Sequence, residues 1–219
     1  MIMGTDGACK WGGTPECVSC GVAVIHTDER TYYMSKIEDH STSQRGELNG
    51  LLLGLHEAVE HNDNEDVIII TDSEYLHNAV MKEWCYKWKA NDWIGSNGER
   101  VKNVDMWMEI VELIDKLRAQ QRDVFLQWTK GHLISGLSPA IVKRIMQQDA
   151  TGLGLISQIQ TIADRVSEHD RIVEDFNKYR MKNDAHIMPA ETAIEWTVLN
   201  VAADLIAGFI KDTAIAAGI

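Results

Sequence analysis

The run Val67-Ile68-Ile69-Ile70 is a short apolar strand that passes straight into Thr71-Asp72-Ser73, and a run near the N-terminus delivers Thr5-Asp6-Gly7 in the same manner. Two carboxylates at strand ends point to a shared acidic site. Between them, Ser43-Gln44-Arg45-Gly46-Glu47-Leu48 opens a helix in which Leu48, Leu51, Leu52, Leu55 and Val59 recur at three- and four-residue spacing, a pattern that buries one face. Glu47 sits in the first turn at the edge of that stripe. For either aspartate alone a helix cap or a surface turn is the better reading. Together the acids read as metal ligands, because clustered like charges need a cation to stay ionised.

Strand candidates are Met1–Asp6, Val18–His26, Thr31–Ile37, Val67–Thr71 and Val124–Thr129, with Asp28-Glu29 marking a hairpin. Three strands come first and helices then alternate with strands, which is the pattern of an α/β fold: a mixed five-stranded sheet with helices on its faces. Trp107, Ile110, Val111, Ile114 and Leu117 define a helix ahead of the last strand, and Pro189 opens a final helix reaching about Ala216. Along that helix Asn200, Asp204 and Lys211 trace a narrow polar stripe.

A chain of 219 residues fits one domain with an elaborated appendage. No basic-then-apolar leader is visible. The most apolar tract, about Ala193 to Ile210, carries Glu195, Asn200 and Asp204, so it reads as a buried helix of a cytoplasmic protein with no membrane association. The net charge of −12 excludes a general nucleic-acid sponge, so any grip on nucleic acid must come from a local basic patch. Four cysteines are too few for a disulfide framework. Cys17-Val-Ser-Cys20 has zinc-like spacing, but there is no second such pair, and Cys9 and His26 would complete a site only if the loop folded back. The plainer reading is a pair of free thiols.

Asp6, Glu47, Asp72, the late Asn200-x-x-x-Asp204 pair and Trp128-Thr-Lys-Gly-His132 occur in one order, together with Thr71-Asp-Ser-Glu-Tyr75, the stretch Trp84 to Trp93 and Val101-Lys-Asn-Val-Asp-Met-Trp107. In these motifs the chain resembles the ribonuclease H type 1 family from Asp6 to His132 and again from about Ala193. The resemblance implies the ribonuclease H fold with strand order 3-2-1-4-5. It further implies an endonuclease that hydrolyses the RNA strand of RNA–DNA hybrids with two Mg²⁺ or Mn²⁺ ions, leaving 5′-phosphate and 3′-hydroxyl ends. Asp6 would bridge the ions, Glu47 and Asp72 would each complete one, Asp204 would tune the ion holding the water, and His132 would assist proton transfer or product release. Hard oxygen donors without cysteine or imidazole are the set magnesium takes. Two rivals are a same-fold nuclease acting on branched DNA or structured RNA, and a noncatalytic hybrid-binding protein.

The hybrid duplex is the expected partner of a monomer. Trp84, Lys87, Trp88, Lys89 and Trp93, followed by Arg100 and Lys102, interleave aromatic and cationic groups as a duplex-gripping surface would, although the tryptophans also suit helix packing, and at least one of them is expected in the core. Ser43, Gln44 and Asn103 are candidates for sugar or phosphate contacts, with helix capping the competing use of Ser43. The family's glycine- and asparagine-rich first turn is replaced by Trp11-Gly-Gly-Thr-Pro-Glu16. From Leu133 to Met188 the chain departs from the family. Ile141, Ile145 and Met146 suggest one helix, and Leu155, Ile159, Ile162, Ala163, Val166, Ile172 and Phe176 a longer one, so residues 133–188 are expected to be a helical insertion within a single domain, packed at the site's rim as a lid or serving as a stabilising appendage.

Overall fold

The computed structural model describes residues 1–61, 64–181 and 187–218. In chain order it comprises β1 (Ile2–Lys10), β2 (Val18–His26), β3 (Thr31–Glu38), α1 (Ser43–Glu60), β4 (Val67–Thr71), α2 (Glu74–Met81), α3 (Trp84–Ala90), α4 (Val104–Ala119), β5 (Val124–Trp128), α5 (Pro139–Gln148), α6 (Leu153–Ala163), α7 (Val166–Met181) and α8 (Ala190–Ala217). The sheet runs β3-β2-β1-β4-β5, the order the resemblance implied, with β1, β2 and β3 antiparallel and β1, β4 and β5 parallel.

Side chains alternate across a strand, and β1 shows which helix owns which face. A Cβ on Gly4 would meet the α8 backbone, whereas Met3 and Thr5 lie against Gly54 of α1. Helices α1 and α8 therefore clad opposite faces. That sandwiching leaves every residue of β2 buried except His26. One core gathers Leu48, Leu51 and Leu55 of α1 with Trp107, Ile110 and Ile114 of α4, and the other gathers Val22, Val24 and Ile70 with Leu199, Ala203 and Ile206 of α8.

Two boundaries differ from expectation. Strand β1 runs to Lys10 because the β2 ladder continues through Lys10↔Val18, while its pairing with β4 stops at Gly4↔Ile70. Asp6 is thus mid-strand toward β2 and past the strand end only toward β4. The single long helix expected from Leu155 to Phe176 is two: α6 closes on Asp164, whose carboxylate accepts from Gln160 at 2.7 Å, and α7 starts at Val166, which is 81% exposed and outside the apolar stripe.

Within 133–188, residues 182–186 lie outside the described residues. The rest packs on α8 and on the β3 edge. Leu155, Ile159, Ile172 and Phe176 are fully or almost fully buried, Phe176 meets Trp196 edge-on at 6.2 Å, and the Tyr33 hydroxyl donates to the Ala150 carbonyl at 3.0 Å. Arg171 donates to the Leu133 carbonyl at 2.7 Å, and the Asn177 amide pairs with both the N–H and the C=O of Met188. Helix α8 is long and apolar enough to cross a membrane by length and composition, yet 67% of its most apolar window is buried inside the protein.

Candidate active site

Asp6 and Asp72 each stand two residues beyond the last registered β1–β4 pair, Gly4↔Ile70, so the parallel register sets them side by side at one end of the sheet. The Gly7 N–H donates to Asp6 Oδ1 at 2.6 Å. Glu47 reaches the same end because α1 lies directly on β1: a Cβ at Gly7 would sit 2.2 Å from the Glu47 backbone nitrogen, a separation only glycine permits. On the other face Gly4 does the same for α8, where a Cβ would come within 2.3 Å of the Leu199 carbonyl oxygen. About one turn further along α8, Asp204 stands near enough for its charge to act on Asp6.

The first turn of α1 is pinned from outside. Arg45 grips Glu38 of β3 at 2.7 Å and Asp105 of α4 at 3.1 Å, and Glu38 also accepts from Ser41 and Asn49, each at 3.0 Å. Thr42, not Ser43, is the cap: its hydroxyl accepts from the Arg45 N–H at 3.1 Å, which leaves Ser43 and Gln44 exposed on the first turn. Ser73 donates to Glu47 and caps α2, tying the α1 acid to the chain just after Asp72. The Trp128 indole donates to the Asp72 carbonyl at 3.0 Å, and a Cβ at Gly131 would strike Asp72 Oδ2 at 2.2 Å.

His132 occupies a left-handed backbone conformation, φ 57°, which histidine tolerates better than most residues. Leu133 and Ile134 are buried immediately after it and anchor the turn. Its Nδ1 lies 3.1 Å from Asp204 Oδ2, with the ring otherwise 78% exposed. The structure therefore brings all five sequence-selected residues together.

Their electrostatics are those of crowded acids. Burial pushes the Asp6 carboxyl well above the ordinary carboxylate range, and the charges of Asp72, Asp204 and Glu47 push it further. Burial likewise raises Asp72, Glu47 and Asp204, while His132 relieves Asp72 and Asp204, and the Ser73 hydrogen bond relieves Glu47. As placed, no three His, Cys, Asp or Glu side chains among the described residues stand close enough to hold an ion, since Glu47 leans on Ser73 and Asp204 on His132. The donor set still fits a hard divalent cation. Four buried or half-buried carboxylates of like charge are stable as anions only beside positive charge, and all their donors are oxygens.

The basic-aromatic stretch divides. Trp84, Trp88 and Trp93 are partly buried against the core, Trp88 edge-on to the fully buried Trp107 at 5.4 Å, so packing is their first use. Lys89 is tied to Asp115 at 2.9 Å, where Tyr86 also donates at 2.8 Å. Lys87 and Lys102 are exposed, with Lys87 donating to the Lys82 carbonyl at 3.2 Å. Asn103, at φ 55°, caps α4 through its backbone carbonyl. The thiols split as well: Cys17 is buried beside Cys9, whereas Cys20 belongs to the α8-side core and burial pushes it up to about 12. Among the described residues neither thiol belongs to a group of three His, Cys, Asp or Glu side chains placed to hold an ion.

Ser73, Gly131 and Arg45 stood inside the recognised motifs without a role, and Glu38 had no sequence signal at all. Each acts through a long-range contact that no local pattern encodes.

The family model described as RNase H matches residues 1–140, a span that holds Asp6, Glu47, Asp72 and His132 but ends before Asp204. Ribonuclease HI of Synechocystis sp. is 33% identical over 128 residues, covering 58% of this chain and 74% of its own. Ribonuclease H of Desulforamulus reducens is 34% identical over 132 residues, covering 60% and 76%. Among solved structures, a foamy viral protease-reverse transcriptase in complex with RNA/DNA hybrid superposes with a TM-score of 0.51 at 19% identity over 60% of this chain and 18% of that longer one, a likeness of fold.

Proposed function

The chain belongs to the ribonuclease H family, and on that premise we propose that it hydrolyses the RNA strand of RNA–DNA hybrids by two-metal-ion chemistry, leaving 5′-phosphate and 3′-hydroxyl ends. The observation that carries this reading is the meeting of Asp6, Glu47, Asp72 and Asp204 from β1, α1, the end of β4 and α8 at one end of the sheet, each raised by burial, and Asp6, Glu47 and Asp72 also by the charge of neighbouring acids. When bound, a pair of Mg²⁺ or Mn²⁺ ions supplies charge neutralisation at the phosphate and a nucleophile at neutral pH. Asp6, Glu47, Asp72 and Asp204 would hold the pair.

Asp6, central among the acids and hydrogen-bonded by Gly7, is the fixed point, Glu47 would turn inward from Ser73 toward a bound ion, and Asp204 stays paired with His132. His132 keeps Nδ1 on Asp204, so its Nε2 moves the proton, and Asp204 steadies the imidazolium that results. Ser43, Gln44, Lys87, Lys102 and Asn103 are proposed to meet the duplex backbone. Residues 1–219 act as one domain, with 133–188 inserted.

The test is cleavage of end-labelled hybrid, duplex DNA and duplex RNA, each with Mg²⁺ and with EDTA. Metal-dependent cutting confined to the RNA of the hybrid is the expected result. Cutting of duplex DNA or duplex RNA instead, or none on any substrate, would overturn the proposal.

A further inference from the structure

Helices α5 and α8 enclose a cavity of about 660 Å³, inside the ~300–1,000 Å³ range of small-ligand sites. Leu137, Val142, Leu205 and Phe209 give it apolar walls, and Lys143 and Lys211 add two ammonium groups. Asp204 lines it too, so the cavity adjoins the acidic site. The Lys211 side chain is only 15% exposed, and its ion-pair partner is its sequence neighbour Asp212, 3.4 Å away and itself 58% exposed.

One wall residue has no packing reason to be what it is. Gly208 stands one turn beyond Asp204 in the interior of α8, where glycine costs roughly 0.5–1 kcal/mol relative to alanine. At Gly4 and Gly7 an added Cβ would strike backbone; at Gly208 it meets nothing within 4 Å. Absence of a side chain at this point keeps the cavity clear.

We propose that this cavity is a nucleotide subsite, holding one nucleotide of the cleaved strand with its base against Leu205 and Phe209 and its phosphate toward Lys143 and Lys211. A nucleotide pairs a flat apolar surface with a phosphate anion, and the cavity pairs apolar walls with two lysines. Two carboxylates line the cavity: Asp204 repels phosphate from its own end, while Asp212, paired with Lys211, is 58% exposed, so the phosphate lies at Lys143 and Lys211 and away from Asp204. The proposal takes from the hybrid-nuclease reading only the source of the nucleotide.

The test is calorimetric titration of the full chain with adenosine 5′-monophosphate in EDTA, so that metal ions at the acids cannot recruit the phosphate. Wild type is expected to bind. Gly208→Phe, which fills the cavity, and the double variant Lys143→Ala/Lys211→Ala are each expected to bind at least tenfold more weakly, and adenosine, lacking the phosphate, at least tenfold more weakly to wild type. Gly208→Ala is expected to retain binding and to melt higher. Unchanged affinity in the folded Gly208→Phe protein, or in the double-lysine variant should the former not fold, overturns the subsite, as does equal affinity for adenosine. Hybrid cleavage without any nucleotide binding in EDTA would sink this inference alone, whereas cavity-dependent binding by a protein that cuts no hybrid would sink the ribonuclease reading and leave the cavity standing.

Discussion

Asp72 shows how little of a site a single residue describes: its carboxylate is shaped by burial, by Asp204, by His132 and by a glycine that makes room for it. Asp72→Asn removes the charge and almost no volume, so hybrid cleavage in Mg²⁺ is expected to fall below about one per cent of wild type while the fold persists. Wild-type turnover by that variant would end the metal-ligand assignment. Asp6 offers a second test through stability. Its folded-state pKa is raised by burial and by its acidic neighbours, so between the unfolded and folded values the folded state binds more protons. Metal-free stability is therefore expected to be greatest below the unfolded value and to decline as pH rises through the folded one. Asp6→Asn removes the share of that decline that Asp6 contributes and leaves the shares of Glu47, Asp72 and Asp204. In EDTA at neutral pH it should melt above wild type, and added Mg²⁺ should raise its Tm less. Thermal melts from pH 4 to pH 8, with and without Mg²⁺, read both, and a variant that melts below wild type in EDTA would contradict the electrostatic account.

At the scale of elements, the site exists because α1 and α8 approach β1 at Gly7 and Gly4 more closely than any side chain would allow. Gly7→Ala must push α1 away at Glu47. Overpacking of this kind costs about 1–3 kcal/mol, and hybrid cleavage should drop with it, measured by urea unfolding beside steady-state kinetics. If both parameters stay at wild-type values, the first turn of α1 is not positioned by that contact. The α3 region separates two uses of lysine. Lys87→Ala and Lys102→Ala remove exposed cations, and each is expected to shallow the slope of log affinity against log salt by about 0.9 if it meets a phosphate. Lys89→Ala breaks the pair with Asp115 instead and should leave the slope alone. Binding titrations over a salt series distinguish them, and equal slopes for all three variants would remove Lys87 and Lys102 from the duplex surface.

Across the whole molecule, α6 and α7 belong to the second core. Ile159, Ile172 and Phe176 are buried against α8, the helix that carries Asp204, so the segment stabilises the platform of the site. Phe176→Ala is expected to cost about 3–5 kcal/mol in urea unfolding. Replacing residues 133–188 by a Gly/Ser linker should lower Tm far more than a disposable lid would. Unchanged stability after that replacement would return the segment to the role of a peripheral lid.

The sequence by itself determined the helical and strand periods through apolar spacing, and the resemblance its motifs carry implied the sheet order and singled out the acids. Those are local properties, carried by a few neighbouring residues each. Tertiary structure alone decided that Glu47 leans on Ser73, that Thr42 rather than Ser43 caps α1, that Lys89 answers Asp115, and that one expected helix divides into α6 and α7. The resemblance had already grouped Asp204 with Asp6, but how it gets there is tertiary: α8 lies on β1 at Gly4. These outcomes rest on contacts between residues distant in sequence, whose partners are fixed only when the sheet and its two helical layers close on one another.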